Sequence, residues 1–311
     1  MMKKLSEGKK MFISVIVIFL VYAVVFFLFK DYEQNMLPPL EDDFDWPLLY
    51  FSILVMTVLV VILYGYAKRM DRRINNEQAE KELEVRRQLT QNISHELKTP
   101  VASILGYMDT ILENPDITEE MRTQFISRSR LQAQRLTSLL QDLSILNGLD
   151  YASDIFKKEA VNLSKIISEV VAATSYALQQ KNMTINLQLP EEKEIFVLGD
   201  PSLLYSIFHN LIDNAIKYAG ENTCISLLAR ESEDFWHFSL SDNGIGLPEE
   251  HLPRIFERFY RVDKGRSRQM GGTGLGLAIV KHAVQFHEGD IAISHNADGG
   301  LRFDFSLIKR N

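Results

Sequence analysis

The chain has 311 residues, a formal net charge of −7 and a single cysteine, Cys224. That length suits about two domains. The acidic balance, with no basic patch interleaved with aromatics, argues against nucleic-acid binding. One cysteine excludes both a disulfide framework and a CxxC zinc site.

The first element is "MFISVIVIFLVYAVVFFLF", residues 11–29, uncharged throughout. It is long enough to cross a bilayer, which takes about 20 residues. It is also long for the apolar part of a signal peptide and lacks a small-x-small cleavage site, so an uncleaved span is expected. A second apolar run, "PLLYFSILVMTVLVVILYGY", predicts a span over 47–67. Lys3, Lys4, Lys9 and Lys10 precede the first run, and Lys68, Arg69, Arg72 and Arg73 follow the second. The positive-inside rule then puts both termini in the cytoplasm, with a tail at 1–10 and an outer loop at 30–46. That loop is too short for a core of its own. Its acidic residues Asp31, Glu33, Glu41, Asp42, Asp43 and Asp45 fit either a cation-responsive patch or a solvated turn, and a charge run beside Pro38-Pro39 favours the turn.

"KRMDRRINNEQAEKELEVRRQLTQ" (68–91) has no glycine or proline and many good helix formers, which predicts a helix continuing from the second span as a rigid link to His95. In "NISHELKTPVASILGYMDTIL" (92–112), Ile93, Leu97, Val101, Ile104, Met108 and Ile111 keep helical spacing. His95 lies about 150° from the centre of that apolar stripe, so it faces outward, with Thr99 one turn along the same face. Pro100 deprives the carbonyl of Glu96 of its usual partner and predicts a bend. By itself an exposed histidine beside a glutamate is usually an ordinary surface residue.

"ENPDIT" (113–118) predicts a turn with Thr118 as N-cap of a second helix. That helix carries Met121, Phe125, Leu136, Leu139, Leu140, Leu143 and Leu146 as apolar positions and is expected to close at Gly148. Two such hairpins would pair into a four-helix bundle, which implies a homodimer. The signalling helix and this hairpin together take 68–150.

From 151 to 311 helix and strand periods alternate. "LSKIISEVVAATSYALQQ", "PSLLYSIFHNLIDNAIKYA" and "GTGLGLAIVKHAVQFH" read as helices. "MTINLQLP", "EIFVLGD", "TCISLLARE", "DFWHFSLSD", "DIAISHN" and "LRFDFSLIK" read as strands. The expected fold is α+β, with helices on one face of a mixed sheet. Asn210, Asn214 and Lys217 fall on one helix face, a set suited to a hard cation and phosphate oxygens, although a plain polar helix face would look similar. "SDNGIGLP" ends a strand with Asp242 and places Gly244 and Gly246 where backbone can approach closely. A carboxylate there can accept from an exocyclic amine, while Asn-Gly alone signals only a turn. "GGTGLGLAIV" opens a helix whose amides are free to meet phosphate. It matches neither the P-loop nor the dinucleotide fingerprint.

In this order the motifs resemble the membrane-bound sensor histidine kinases of bacterial two-component systems. "SHELKTP" is similar to their phospho-acceptor motif and "HNLIDNAIKY" to their asparagine motif. "DNGIGLP" and "GTGLGLA" are similar to their glycine motifs, and "RIFERFYRVD" to the phenylalanine motif between them. The resemblance covers about residues 85–308 and implies a dimeric phospho-acceptor hairpin followed by a sandwich of the gyrase and chaperone ATPase type.

The resemblance also implies roles. His95 would take the γ-phosphoryl group of ATP, Glu96 would be general base, and Thr99 would position water for dephosphorylating the response regulator. Asn210 would ligate Mg²⁺, with Asn214, Lys217 and Arg261 at the phosphates. Asp242 would read adenine and Tyr218 would stack near it. Gly244 and Gly246, and Gly272, Thr273, Gly274, Leu275 and Gly276, would complete the ATP site. The face beyond His95, through Ser103, Gly106, Tyr107 and Thr110, would recognise the regulator. The implied partners are a second copy, a response regulator of the DNA-binding transcription-factor kind, and a membrane transporter as signal source. That last partner follows from "RFYRVDKGRSRQMGGTGLGLAIVKH", which is similar to the phosphate-starvation sensor kinases, and the resemblance implies a multi-pass protein of the bacterial cytoplasmic membrane. Of two other classes, intact His95, Glu96 and Asn210 argue against an ATP-binding scaffold, and a gyrase-type ATPase would need neither His95 on a bundle helix nor two membrane spans.

Overall fold

A computed structural model of the chain describes residues 46–151, 155–190, 193–262 and 272–310, with Ile16, Ala23, Val24, Phe27 and Asp31 as isolated helical positions before them. The chain divides into two compact units, residues 1–88 and 89–311.

In the first unit the described chain is helical from Trp46, the start of α1 (Trp46–Glu113). Ser52–Glu77, 26 residues with mean hydropathy 1.7, is the one helical stretch among the described residues long and apolar enough to cross a membrane. It overlaps the expected 47–67 over the uncharged residues 52–67, and its last ten residues carry Lys68, Arg69, Asp71, Arg72, Arg73 and Glu77. Leu54, Val58, Val61 and Ile62 are exposed along it, as suits a lipid-facing surface. The first expected span, 11–29, lies outside the described residues apart from Ile16, Ala23, Val24 and Phe27.

The second unit opens with a helical hairpin, α1 from Leu89 onward and α2 (Glu119–Tyr151). Thr118 caps α2 as expected: its hydroxyl accepts from the Met121 N–H at 3.3 Å. Pro100 is carried inside an unbroken helix. Gly148 does not close α2, which continues to Tyr151. Its lack of a side chain serves packing instead, since a Cβ there would lie 2.7 Å from the Phe156 ring. Leu139 and Leu146 are buried, whereas Val101, Leu105 and Leu140 of the same hairpin are exposed.

The rest of the unit is a two-layer α+β sandwich. It runs β1 (Glu159–Asn162), α3 (Leu163–Gln180), β2 (Thr184–Gln188), β3 (Phe196–Gly199), α4 (Pro201–Tyr218), β4 (Cys224–Glu231) and β5 (Phe235–Asp242). A 3₁₀ turn (Glu249–Arg254), α5 (Gly276–Phe286), β6 (Ile291–His295) and β7 (Leu301–Ile308) complete it. The main sheet has strand order β2-β4-β5-β7-β6, with β2 parallel to β4 and the other pairs antiparallel.

The strands alternate. Trp236, Phe238 and Leu240 of β5 and Phe303, Phe305 and Leu307 of β7 turn inward under the helices. Phe238 stacks on Phe305 at 5.2 Å between centroids, and Phe208 of α4 meets Phe238 edge-on at 5.5 Å. On α4, Leu203, Leu204, Ile207, Phe208, Leu211, Ile212, Ala215 and Ile216 are buried at helical spacing, which fixes the opposite face toward the cleft. Asp200 starts this helix: its carboxylate accepts from the N–H groups of Ser202 and Leu203, and Pro201 takes the first turn. The strand β1, which pairs antiparallel with β3, was not expected. Its four residues "EAVN" are too few and too polar to show a period.

Candidate functional site

The face of α4 opposite the core opens on a cavity of about 1030 Å³, large enough for a nucleotide. Asn210, Asn214, Lys217 and Tyr218 line it from α4, and Asp242, Gly246, Arg261, Gly272, Thr273, Gly274 and Gly276 line it from the loops and the start of α5. Asp242 forms the floor and is 6% exposed. Its carboxylate accepts from the Gly244 N–H at 2.9 Å and the Leu301 N–H at 3.4 Å. Burial nevertheless pushes its pKa above the ordinary value, with those two bonds opposing the rise. An acceptor held at the bottom of a largely apolar pocket suits an exocyclic amine.

Asn210 donates from Nδ2 to the Ser206 carbonyl at 2.8 Å, which turns its amide oxygen toward α5. Gly276 makes room for that oxygen, because a Cβ there would stand 2.6 Å from it. A single neutral oxygen in a cavity also lined by Lys217 and Arg261 is compatible with Mg²⁺, which keeps several waters and takes few protein ligands. Lys217 is paired with Asp213 at 2.6 Å, one turn back on α4.

His95 lies on α1 outside this cavity, with its side chain 66% exposed. Glu96 is largely covered at 14%, and its Oε1 is 4.0 Å from His95 Nδ1. The other oxygen, Oε2, accepts from Arg135 of α2 at 3.3 Å and from Arg261 at 3.2 Å. Arg261 is 6% exposed and also donates to the Gly272 carbonyl. Thr99 donates to the His95 carbonyl at 3.1 Å, one turn back.

The sandwich rests on the hairpin through three further contacts. Thr273 donates to Asp142 of α2 at 2.7 Å, and Arg258 donates to Asp150 at 2.8 Å. Leu139 and Leu146 of α2 form a buried cluster with Leu275 and Ile279, joined by Leu97, Leu143 and Phe259. Phe259 holds φ at 62°, a costly conformation for an aromatic residue, and its N–H donates to the Gly274 carbonyl at 2.8 Å.

The structure thus brings the nucleotide-motif residues of the sequence to one cavity, with two exceptions. Gly244 lies behind Asp242 as its hydrogen-bond donor, and Leu275 is wholly buried against the hairpin rather than facing the cleft. Residues 263–271, between the phenylalanine-motif and second glycine-motif segments, lie outside the described residues. Sequence reasoning missed Asp213, His209 and Tyr205 on the cleft side of α4, and Arg135, Asp142 and Asp150 on α2. Asp213 alone carried a signal, its i,i+4 spacing to Lys217. The α2 residues meet their partners across 39 to 131 positions of sequence, where no local period reaches.

Comparison with known proteins agrees with this geometry. Residues 85–151 match the His Kinase A (phospho-acceptor) domain, and 199–311 match the histidine kinase-, DNA gyrase B-, and HSP90-like ATPase family. The chain is 35% identical over 229 residues to sensor protein kinase WalK of Staphylococcus aureus, an alignment covering 73% of this chain and 54% of that one. The chain therefore spans about half the length of that relative. Among solved structures, full-length ShkA in complex with AMPPNP aligns with a TM-score of 0.52 at 27% identity, over 72% of this chain and 46% of that one. Histidine kinase ThkA in complex with response regulator protein TrrA aligns at 0.57 and 20% identity, over 77% and 66%, a likeness of fold. With a phospho-acceptor hairpin and a kinase-type ATPase sandwich in one unit, the chain belongs to the sensor histidine kinase family.

Proposed function

We propose that this chain is an ATP-dependent histidine kinase that phosphorylates itself on His95 and passes the phosphoryl group to an aspartate of a separate response regulator. The observation that carries this reading is the pairing of two features in one unit. One is a nucleotide-sized cavity lined by Asn210, Lys217, Asp242 and Gly276. The other is an exposed imidazole with a covered carboxylate 4.0 Å from one of its nitrogens.

The reaction follows from that geometry. Nδ1 of His95 faces Glu96, so Nε2 is the nitrogen open to attack. An N–P bond forms between Nε2 and the γ-phosphorus while the bond to the β-bridging oxygen breaks and ADP leaves. The imidazole proton on Nδ1 passes to Glu96 as positive charge develops on the ring. Asn210 would hold Mg²⁺, which would neutralise phosphate charge, and Lys217, Asn214 and Arg261 offset the rest of that charge. Asp242 accepts from the adenine amine and Tyr218 packs near the base. The backbone of Gly246, Gly272, Thr273, Gly274 and Gly276 approaches the nucleotide, with Gly244 and Leu275 supporting from behind. Thr99 positions water for the reverse, regulator-dephosphorylating reaction.

Several further features belong to the same reading. The exposed Val101, Leu105 and Leu140 of the hairpin fit a homodimer, in which a second hairpin covers them. The solved ThkA–TrrA complex supports docking of a response regulator, which on this reading is a DNA-binding transcription factor. Two membrane spans at 11–29 and 47–67 rest on the length of two apolar runs, the cytoplasmic placing of both termini on the flanking lysines and arginines, and a transporter as signal source on motif resemblance. The domain limits 1–10, 11–29, 30–46, 47–67, 68–150 and 151–311 are proposed with them.

The test uses the full chain in detergent micelles with γ-labelled ATP and Mg²⁺. Acid-labile, alkali-stable label is expected on the wild type and absent from His95→Gln and Asn210→Ala. A folded, ATP-binding wild type that takes no label turns the reading to a nucleotide-binding scaffold.

A further inference from the structure

We propose that Arg135 of α2 is a positioning residue for phosphoryl transfer, acting through Glu96; the role rests on the kinase reading above. Glu96 divides its two oxygens. Oε1 faces His95 Nδ1 at 4.0 Å, and Oε2 accepts from Arg135 at 3.3 Å and from Arg261 at 3.2 Å.

The two arginines are not equivalent. Arg261 belongs to the ATP-binding sandwich, is tied to the Gly272 carbonyl, and lines the cavity in which the triphosphate would lie. Its charge is needed at the phosphates, where Glu96 would compete for it. Arg135 shares the hairpin with Glu96 and His95, so it stays at Oε2 whether or not the sandwich engages nucleotide. Both members of the pair are largely covered, at 15% and 14% exposed.

The terminal torsion of a glutamate is soft, with no sharply preferred well. A fixed guanidinium on one oxygen therefore decides where the other points. Together with Arg261 it also offsets the charge of a carboxylate that is only 14% exposed. Arg135 thus keeps Oε1 aimed at the imidazole nitrogen whose proton must leave, without touching nucleotide or His95 itself. The distinction from a plain structural ion pair is kinetic: a positioning role disappears once Glu96 can no longer act as base.

The experiment measures initial rates of acid-labile labelling on the full chain in detergent micelles, across ATP concentrations, for Arg135→Met and Arg135→Lys in wild-type and Glu96→Gln backgrounds. Arg135→Met is expected to lower kcat by roughly tenfold to a hundredfold, the scale of a misplaced general base, with KM for ATP unchanged. Arg135→Lys is expected to recover most of the rate. In the Glu96→Gln background Arg135→Met should cause no further loss, because both changes remove the same interaction. Full activity of Arg135→Met, an equal loss in both backgrounds, or a change confined to KM overturns the role. If circular dichroism finds Arg135→Met unfolded, Arg135→Lys against Arg135→Gln makes the same comparison. An unlabelled wild type overturns the kinase reading itself, whereas a labelled wild type indifferent to residue 135 overturns this role alone.

Discussion

The Thr273 hydroxyl donates to Asp142 Oδ2 at 2.7 Å, which stands a hairpin carboxylate at the wall of the nucleotide cavity. Burial raises the pKa of Asp142, opposed by the Thr273 bond and by Lys217, while Asp213 adds to the rise. A carboxyl whose folded pKa lies above its unfolded one holds its proton longer in the folded state. Its contribution to stability therefore falls as pH climbs through the raised value and stays reduced above it. Asp142→Asn keeps an acceptor for Thr273 and removes the charge. The variant should be more stable than the wild type near neutral pH, because it no longer carries a carboxylate whose charged form burial disfavours. It should also bind ATP roughly threefold to tenfold more tightly, since one negative charge facing the phosphates is gone. Titration with a fluorescent ATP analogue checks this, and unchanged or weaker binding refutes it.

Gly276 sets two effects against each other. Alanine in a helix gains about 1 kcal/mol over glycine, which favours the substitution. Against it, the new Cβ would stand 2.6 Å from the Asn210 amide oxygen, and that amide is held from its other end by the Ser206 carbonyl. The clash is confined to the atom proposed to hold Mg²⁺, so the fold should survive and binding should not. Gly276→Ala is expected to unfold within a few degrees of the wild type yet lose at least about tenfold in Mg-ATP affinity, a loss of about 1.4 kcal/mol. Calorimetric titration with and without Mg²⁺ separates metal-dependent from metal-independent binding.

The pattern of success and failure in reading the sequence has a physical cause. The core faces of α3 and α4 were legible because eighteen residues each bury one stripe at helical spacing. The strands β5 and β7 were legible through alternation over eight residues, and β4 through alternation over its first six. The strand β1 escaped because its order comes from pairing with β3, not from its own side chains. Gly148 read as a helix stop, yet the Phe156 ring packed on it explains it better. Leu275 read as part of a glycine motif, but its side chain answers to Leu139 and Leu146 across the hairpin. At the site, residues with local spacing were found. Arg135, Asp142 and Asp150 were not, because each is a polar residue on a helix whose meaning depends on a partner elsewhere in the chain.

The Arg258–Asp150 pair joins the last turns of α2 to the sandwich, with both side chains less than a quarter exposed and His282 4.0 Å from the same carboxylate oxygen. Partial cover makes the pair stronger than an open surface bridge. Asp150→Asn is expected to cost about 1–2 kcal/mol, less than the roughly 1.5–3 kcal/mol of a hydrogen bond to a charged group, because the amide still accepts from Arg258. Lys193→Gln, which removes an ion pair with Glu231 from a lysine that is 57% exposed, should cost less than Asp150→Asn. Denaturant unfolding of the two variants at low and moderate salt tests the ranking. Equal losses, or a larger loss for Lys193→Gln, would be the contrary result.

His287 is fully buried at the end of α5 and takes no part in the proposed chemistry. Its Nε2 accepts from the Asp200 N–H at 3.0 Å, which leaves the proton on Nδ1 to meet the Ala283 carbonyl at 2.6 Å. The ring therefore ties α5 to the residue that caps α4, the helix bearing Asn210. Burial lowers its pKa, and burial together with Arg258 lowers that of His282. A base depressed in the folded state leaves the unfolded chain to bind the proton first. Stability should therefore be full above the ordinary histidine pKa of about 6.5 and decline as pH falls below it. His287→Leu removes part of that decline but strands the Asp200 N–H, which costs about 1–3 kcal/mol. The variant should be clearly less stable than wild type at pH 7.5, and the gap should narrow at pH 5.5. Denaturant unfolding at the two pH values decides it: a gap that widens on acidification would mean that His287 is charged in the folded protein and that its two hydrogen bonds are not those assigned.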